Sequence, residues 1–145
     1  MQNLPHKYNV AASAGAGSHV KLASAGLEDL ESASPAEFGG PGDRWSPETL
    51  LVAAVADCFI LTFRAIARAS KFEWISINCD VDAILDRVDG VSRFTDFHQR
   101  VVLDVSASTN EAKAMRLLEK AEQACLITNS LNGNSHLAAE VRIAE

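Results

Sequence analysis

The sequence predicts an α+β fold in which antiparallel sheet packs against two helices, and three observations carry that reading. Ser46-Pro47-Glu48 opens a long and almost wholly apolar helix. Ile75, Ile77, Cys79, Val81 and Ala83 alternate with Ser76, Asn78, Asp80 and Asp82, the period-two signature of a strand with one wet face. A second helix starts after Asn110, and Leu137, Ala139, Val141 and Ile143 make a closing half-buried strand. Strands, a helix, a hairpin, a helix and a last strand, in that order, belong to the α+β class.

The first forty residues are poor in aromatics and rich in Ala, Ser and Gly, with weakly alternating β-compatible pieces at 8–12, 19–23 and 26–30. A loop rich in Gly and Pro follows at 38–45, where glycines permit tight turning. Ser46 is a good N-cap, Pro47 suits the first helical position because it needs no amide partner, and Glu48 favours the positive end of the helix dipole. Leu51, Ala54, Val55, Cys58, Leu61 and Ala65 recur at helical spacing, while Val52, Phe59, Ile60 and Phe63 cover other faces. A helix apolar nearly all round is expected to be buried. Its surplus surface is more than one sheet can cover, so a homodimer is expected.

Arg64, Arg68 and Lys71 place positive charge near the helix C-terminus, marking its exit around Ser70. Turn chemistry at 86–90 joins the alternating strand to a hairpin partner that includes Val101, Leu103 and Val105. Asn110 caps a helix running to about Cys125, with Ala114, Leu118, Ala121 and Cys125 on one face. Residues 129–135 read as a loop.

Composition narrows the function. A chain of 145 residues with 48% hydrophobic content suits one domain over 1–145. The net charge of -6 and scattered basic residues argue against a nucleic-acid surface. The run 50–63 is interrupted by Asp57 and falls short of the roughly 20 residues of a membrane span, so no membrane association is expected. Residues 1–10 lack the pattern of a signal peptide, which gives a cytoplasmic expectation.

Three cysteines, with no Cys-x-x-Cys pair, suggest neither a disulfide framework nor a zinc site. His6, His19, His98 and His136 lie apart from one another and from the cysteines in sequence, so no metal is expected. Cys79 occupies the apolar side of its strand, a packing position. Cys58 and Cys125 each lie on or at the end of a helix among apolar neighbours, which fits inert core packing and also fits a redox pair, should the two helices lie side by side. A peroxide-reducing thiol must be a thiolate. Cys58 lies about three turns into its helix, beyond the reach of the dipole, so its thiolate needs a cation, and Arg64 after it and Arg44 before it are the nearest on either side in sequence.

The stretch from Ser46-Pro47-Glu48-Thr49-Leu50 through Ala56-Asp57-Cys58-Phe59, with Phe38-Gly39-Gly40 before it and Cys125 on a late helix, resembles the OsmC/Ohr family of osmotically inducible and organic hydroperoxide resistance proteins. The resemblance runs over about 26–141 and includes 85–90. It implies an OsmC-like fold with antiparallel sheets around two central helices, forming an intertwined homodimer with sites at the subunit interface. It also implies reduction of organic hydroperoxides, with Cys58 as the attacking thiol and Cys125 as the resolving one. No bound cofactor is implied. The partners would be an external thiol or a dithiol such as dihydrolipoamide, free or on a lipoylated protein.

Glu48 matches the family glutamate that orients an arginine near the reactive thiol. Ten helical residues span about 15 Å, so Glu48 cannot touch Cys58 of its own helix. The family arginine lies on an early strand or loop, where this chain has Ala16-Gly17-Ser18-His19-Val20 and no Arg, which suggests a divergent branch. His19 is nearest by position, and Arg44 is favoured because a guanidinium stays charged and pairs bidentately with a carboxylate. The rival reading from another class is a non-enzymatic dimer that binds an apolar small molecule, its cysteines serving as packing.

Overall fold

The computed structural model describes residues 1–145. The chain forms two compact units, Met1–Leu50 and Leu51–Glu145. The first holds a three-stranded antiparallel sheet in the order β1-β2-β3, with β1 at Ala11–Ser13, β2 at Val20–Ala23 and β3 at Leu30–Ser32. The strand expected at 26–30 begins only at Leu30, because Gly26 at φ 77 and the bond from Leu27 N–H to Ser24 O make a turn first. After a 3-10 turn at Ala36–Phe38, Gly40 passes so close to Ser34 that an added Cβ would sit 1.7 Å from the Ser34 carbonyl oxygen. Only glycine fits there.

Near the end of this unit Ser46 is the expected cap. The Thr49 N–H donates to Ser46 Oγ at 3.1 Å, and the Ser46 N–H donates back to Thr49 Oγ1 at 2.9 Å. This is a reciprocal box with Thr in the place usually held by Glu or Gln. The helix it starts, α1, runs over Pro47–Ala69.

In the second unit, β4 at Ser76–Val88 and β5 at Val91–Val105 form a long antiparallel hairpin. Its turn is only Asp89 and Gly90, at φ 52 and 79, the two left-handed residues of a tight hairpin. Residues 86–88, expected in the turn, therefore continue the strand. A bulge at Ile84/Leu85 leaves Thr95 unopposed. Asn110 caps α2 at Glu111–Ala124 by accepting from Lys113 N–H at 2.9 Å. A further short helix, α3 at Leu126–Asn129, lies between the expected end of α2 and the expected loop, and β6 covers Asn134–Ile143.

The α+β architecture is as expected, with one departure. β6 pairs with β5 in parallel, not antiparallel, because α2 and α3 return the chain to the level of Asp96 before it re-enters the sheet. That register sets His136 opposite His98, two residues the sequence separates and the sheet brings together.

The core is built from Phe59, Phe63 and Ala67 of α1, Val101, Leu103 and Val105 of β5, and Ala114, Leu117, Leu118 and Ala121 of α2. The buried stripe of α1 is Val55, Phe59, Phe63 and Ala67, spaced by four. Leu61, expected inward, is 50% exposed, and Cys58 is half-buried. At 23 residues and a mean hydropathy of 2.1 over its most apolar stretch, α1 is by length and composition sufficient to cross a membrane. In this fold one of its stripes is instead packed into the core, while Leu61 and Ala65 stay exposed.

Candidate active site

Cys125 stands between two helices. At φ -65 and ψ 107 it is extended, so α2 stops there and α3 begins anew on the next residue. Its carbonyl accepts from Asn129 N–H at 3.0 Å and from Thr128 Oγ1 at 3.1 Å, which fixes the single turn of α3. The break aims the first amides of α3, those of Leu126 and Ile127, at Cys58 of α1. Thr62, one helical turn beyond Cys58, adds its hydroxyl at 3.7 Å from the sulfur.

Two opposing effects act on the Cys58 thiol. Burial pushes it up, but hydrogen bonding from the Ile127 N–H, the Cys125 thiol, the Thr62 hydroxyl and the Leu126 N–H outweighs that, and the group is held below its ordinary value of 9.0. Cys125 moves the other way. Burial raises it, the N–H and hydroxyl of Thr128 oppose the rise, and hydrogen bonding to Cys58 and its charge add to it. The pair is therefore polarised, Cys58 giving up its proton more readily than the fully buried Cys125. Both sulfurs are free thiols. Cys79 is pushed up to about 11 by burial first, then by Asp80 and Cys125, which suits the packing role its strand position gave it.

Cys58 opens onto a groove of about 430 Å³ between α1 and α3, lined by Ala54, Leu61, Ala65, Leu126 and Ile127 with Asp57 and Thr62 as its polar members. Its α1 residues follow helical spacing along one stripe. The groove admits a small apolar molecule to the sulfur.

The sequence pattern of the OsmC-like protein family matches residues 40–140. The chain belongs to the OsmC-like family. It is 32% identical over 112 residues to the uncharacterized protein YmaD of Bacillus subtilis, covering 75% of each chain. It is 29% identical over 109 residues to an organic hydroperoxide resistance protein of Xanthomonas axonopodis pv. citri, covering 73% of each. In fold it matches an OsmC-like protein of unknown function from Vibrio cholerae with a TM-score of 0.83 at 16% identity, over 94% of this chain and all of that one.

In this OsmC-like protein the four residues singled out from sequence fall into two pairs. Cys58 and Cys125 meet within the second unit. Arg44 and Glu48 belong to the first, where Arg44 is bound to Glu31 and Asp43, each at 3.4 Å, and not to Glu48. Glu48 Oε2 is buried without a hydrogen-bond partner in the chain. His19 is exposed just before β2, and Arg64 is exposed on α1.

Sequence reasoning sought a cation for Cys58 and missed Thr62, Leu126 and Ile127. Thr62 was within reach of it, since i and i+4 share a helix face. The amides were not, because no Gly or Pro near Cys125 signals the helix break that turns them toward the thiol.

Proposed function

We propose that this protein is a thiol peroxidase that reduces organic hydroperoxides through Cys58. The observation that carries the reading is the polarised pair, a lowered thiol beside a raised one, opening onto an apolar groove. The Cys58 thiolate attacks one peroxide oxygen, the O–O bond breaks, and the departing alkoxide takes up the proton shed when the thiol ionised. Cys58 is then a sulfenic acid. The Cys125 thiol attacks its sulfur, an S–S bond forms and water leaves, so the two electrons come from the two thiols. An external thiol, or a dithiol of the dihydrolipoamide class, reduces the disulfide by exchange.

The cytoplasmic homodimer expected from the sequence is part of the same proposal. Uncovered apolar surface on α1 supports it, since such surface marks an interface. Glu48 supports it too, because its buried Oε2 is an acceptor that a guanidinium of a second copy would satisfy, with Arg44 the candidate.

The test is turnover of cumene hydroperoxide with a dithiol reductant. The wild-type chain is expected to consume it, and Cys58→Ser to fall to the uncatalysed rate. Equal rates for the two would sink the proposal. The apolar groove also favours the rival reading, a small-molecule binder, which requires unreactive thiols and undiminished ligand binding in Cys58→Ala.

A further inference from the structure

The second sheet turns a different constellation outward. Along β5 the buried Phe97, Gln99 and Val101 alternate with Asp96, His98 and Arg100, which lie on the face away from the core. Parallel pairing puts His136 of β6 on that same face, level with His98. The two imidazoles stack with ring centroids 4.5 Å apart and planes at 12°, and His136 Nε2 lies 2.9 Å from Asp96 Oδ1. One ligating atom from each of the three side chains falls within 4.8 Å of the others.

From this arrangement we infer that Asp96, His98 and His136 form a binding site for a borderline divalent transition metal, with zinc as its representative. Bonds of about 2.0–2.2 Å to a shared tetrahedral ion place ligand atoms about 3.3 Å apart. Closing the present triangle to that size calls for side-chain rotation, for which the 48% exposure of His136 leaves room. The backbone needs no change, because two paired strands already hold the register.

The donor set selects the ion. Two imidazoles and a carboxylate suit zinc, nickel or copper, whereas calcium and magnesium demand oxygen ligands. The surrounding charge favours a cation as well. Arg100, two residues from His98, is occupied by Asp80 at 2.9 Å and Asp82 at 2.7 Å, and Arg142 by Asp104 at 2.7 Å, so no guanidinium on this face is left to oppose a cation. Three protein ligands leave a fourth position for water or an incoming ligand. The site shares no residue with the Cys58 groove and stands independently of the peroxidase reading.

Thiols in general also bind zinc, so the experiment is calorimetric titration of zinc into the full-length Cys58→Ser, Cys125→Ser chain. One equivalent is expected to bind. Adding His98→Gln and His136→Gln is expected to abolish it, and Asp96→Asn to weaken it by at least about tenfold. Circular dichroism of each variant establishes that it is folded. The inference is overturned if the Cys58→Ser, Cys125→Ser chain takes up no zinc, or if the equivalent survives both histidine substitutions. Hydroperoxide turnover by the His98→Gln, His136→Gln chain with its cysteines intact is expected to stay at the wild-type rate, which separates failure here from failure of the peroxidase proposal.

Discussion

Cys58 shows how an uncharged environment can favour a thiolate. No cation lies among the groups that act on it, and the donors are amide, hydroxyl and thiol hydrogens, which stabilise negative charge in the anion and lose most of that benefit when the sulfur is protonated. The sign of the pH dependence follows. As pH rises the thiolate fraction of Cys58 grows, with its midpoint below the ordinary thiol value of 9.0. Alkylation by iodoacetamide, followed by mass spectrometry from pH 5 to 10, is expected to label Cys58 first. Cys79, at about 11, is expected to stay unmodified near neutrality, and the raised and buried Cys125 to lag as well. Preferential labelling of Cys79 at neutral pH would contradict this account of the three thiols.

On the scale of the element, α1 divides its surface between two jobs. Val55, Phe59, Phe63 and Ala67 hold it in the core, and the stripe through Ala54, Cys58, Leu61 and Ala65 lines the groove. Phe63 is fully buried and packs edge-on against Trp74 at a centroid distance of 5.6 Å. Phe63→Ala is expected to cost about 3–5 kcal/mol of stability in urea denaturation, since it removes a large ring and leaves a cavity. A loss under about 1 kcal/mol would mean that this face is not the core. The beginning of α1 was legible in Ser46-Pro47, because capping is local chemistry. Its orientation was not, because a helix apolar on several sides carries no phase to say which stripe is buried. β6 poses the same kind of problem. Its alternation announced a strand, but period two is the same in either direction, and only the α2 and α3 crossover makes the pairing parallel.

At the scale of the molecule, what the sequence could not show is what depends on register between distant segments. His98 and His136 look isolated along the chain and become neighbours through one strand pairing. Cys58 and Cys125 were within reach of reasoning because family resemblance linked them, whereas the amides beside them depend on how α3 leaves α2. The uncovered apolar surface of α1 bears on assembly. Multi-angle light scattering at micromolar concentration is expected to give twice the chain mass, and a monomeric mass would remove the homodimer from the account. The peroxidase proposal stands or falls on whether the two thiols join. Mass spectrometry after one equivalent of organic hydroperoxide is predicted to show a chain lighter by two hydrogens, with a peptide crosslinked between Cys58 and Cys125 and Cys79 still free. A chain that keeps all three thiols, or one whose disulfide involves Cys79, would contradict it.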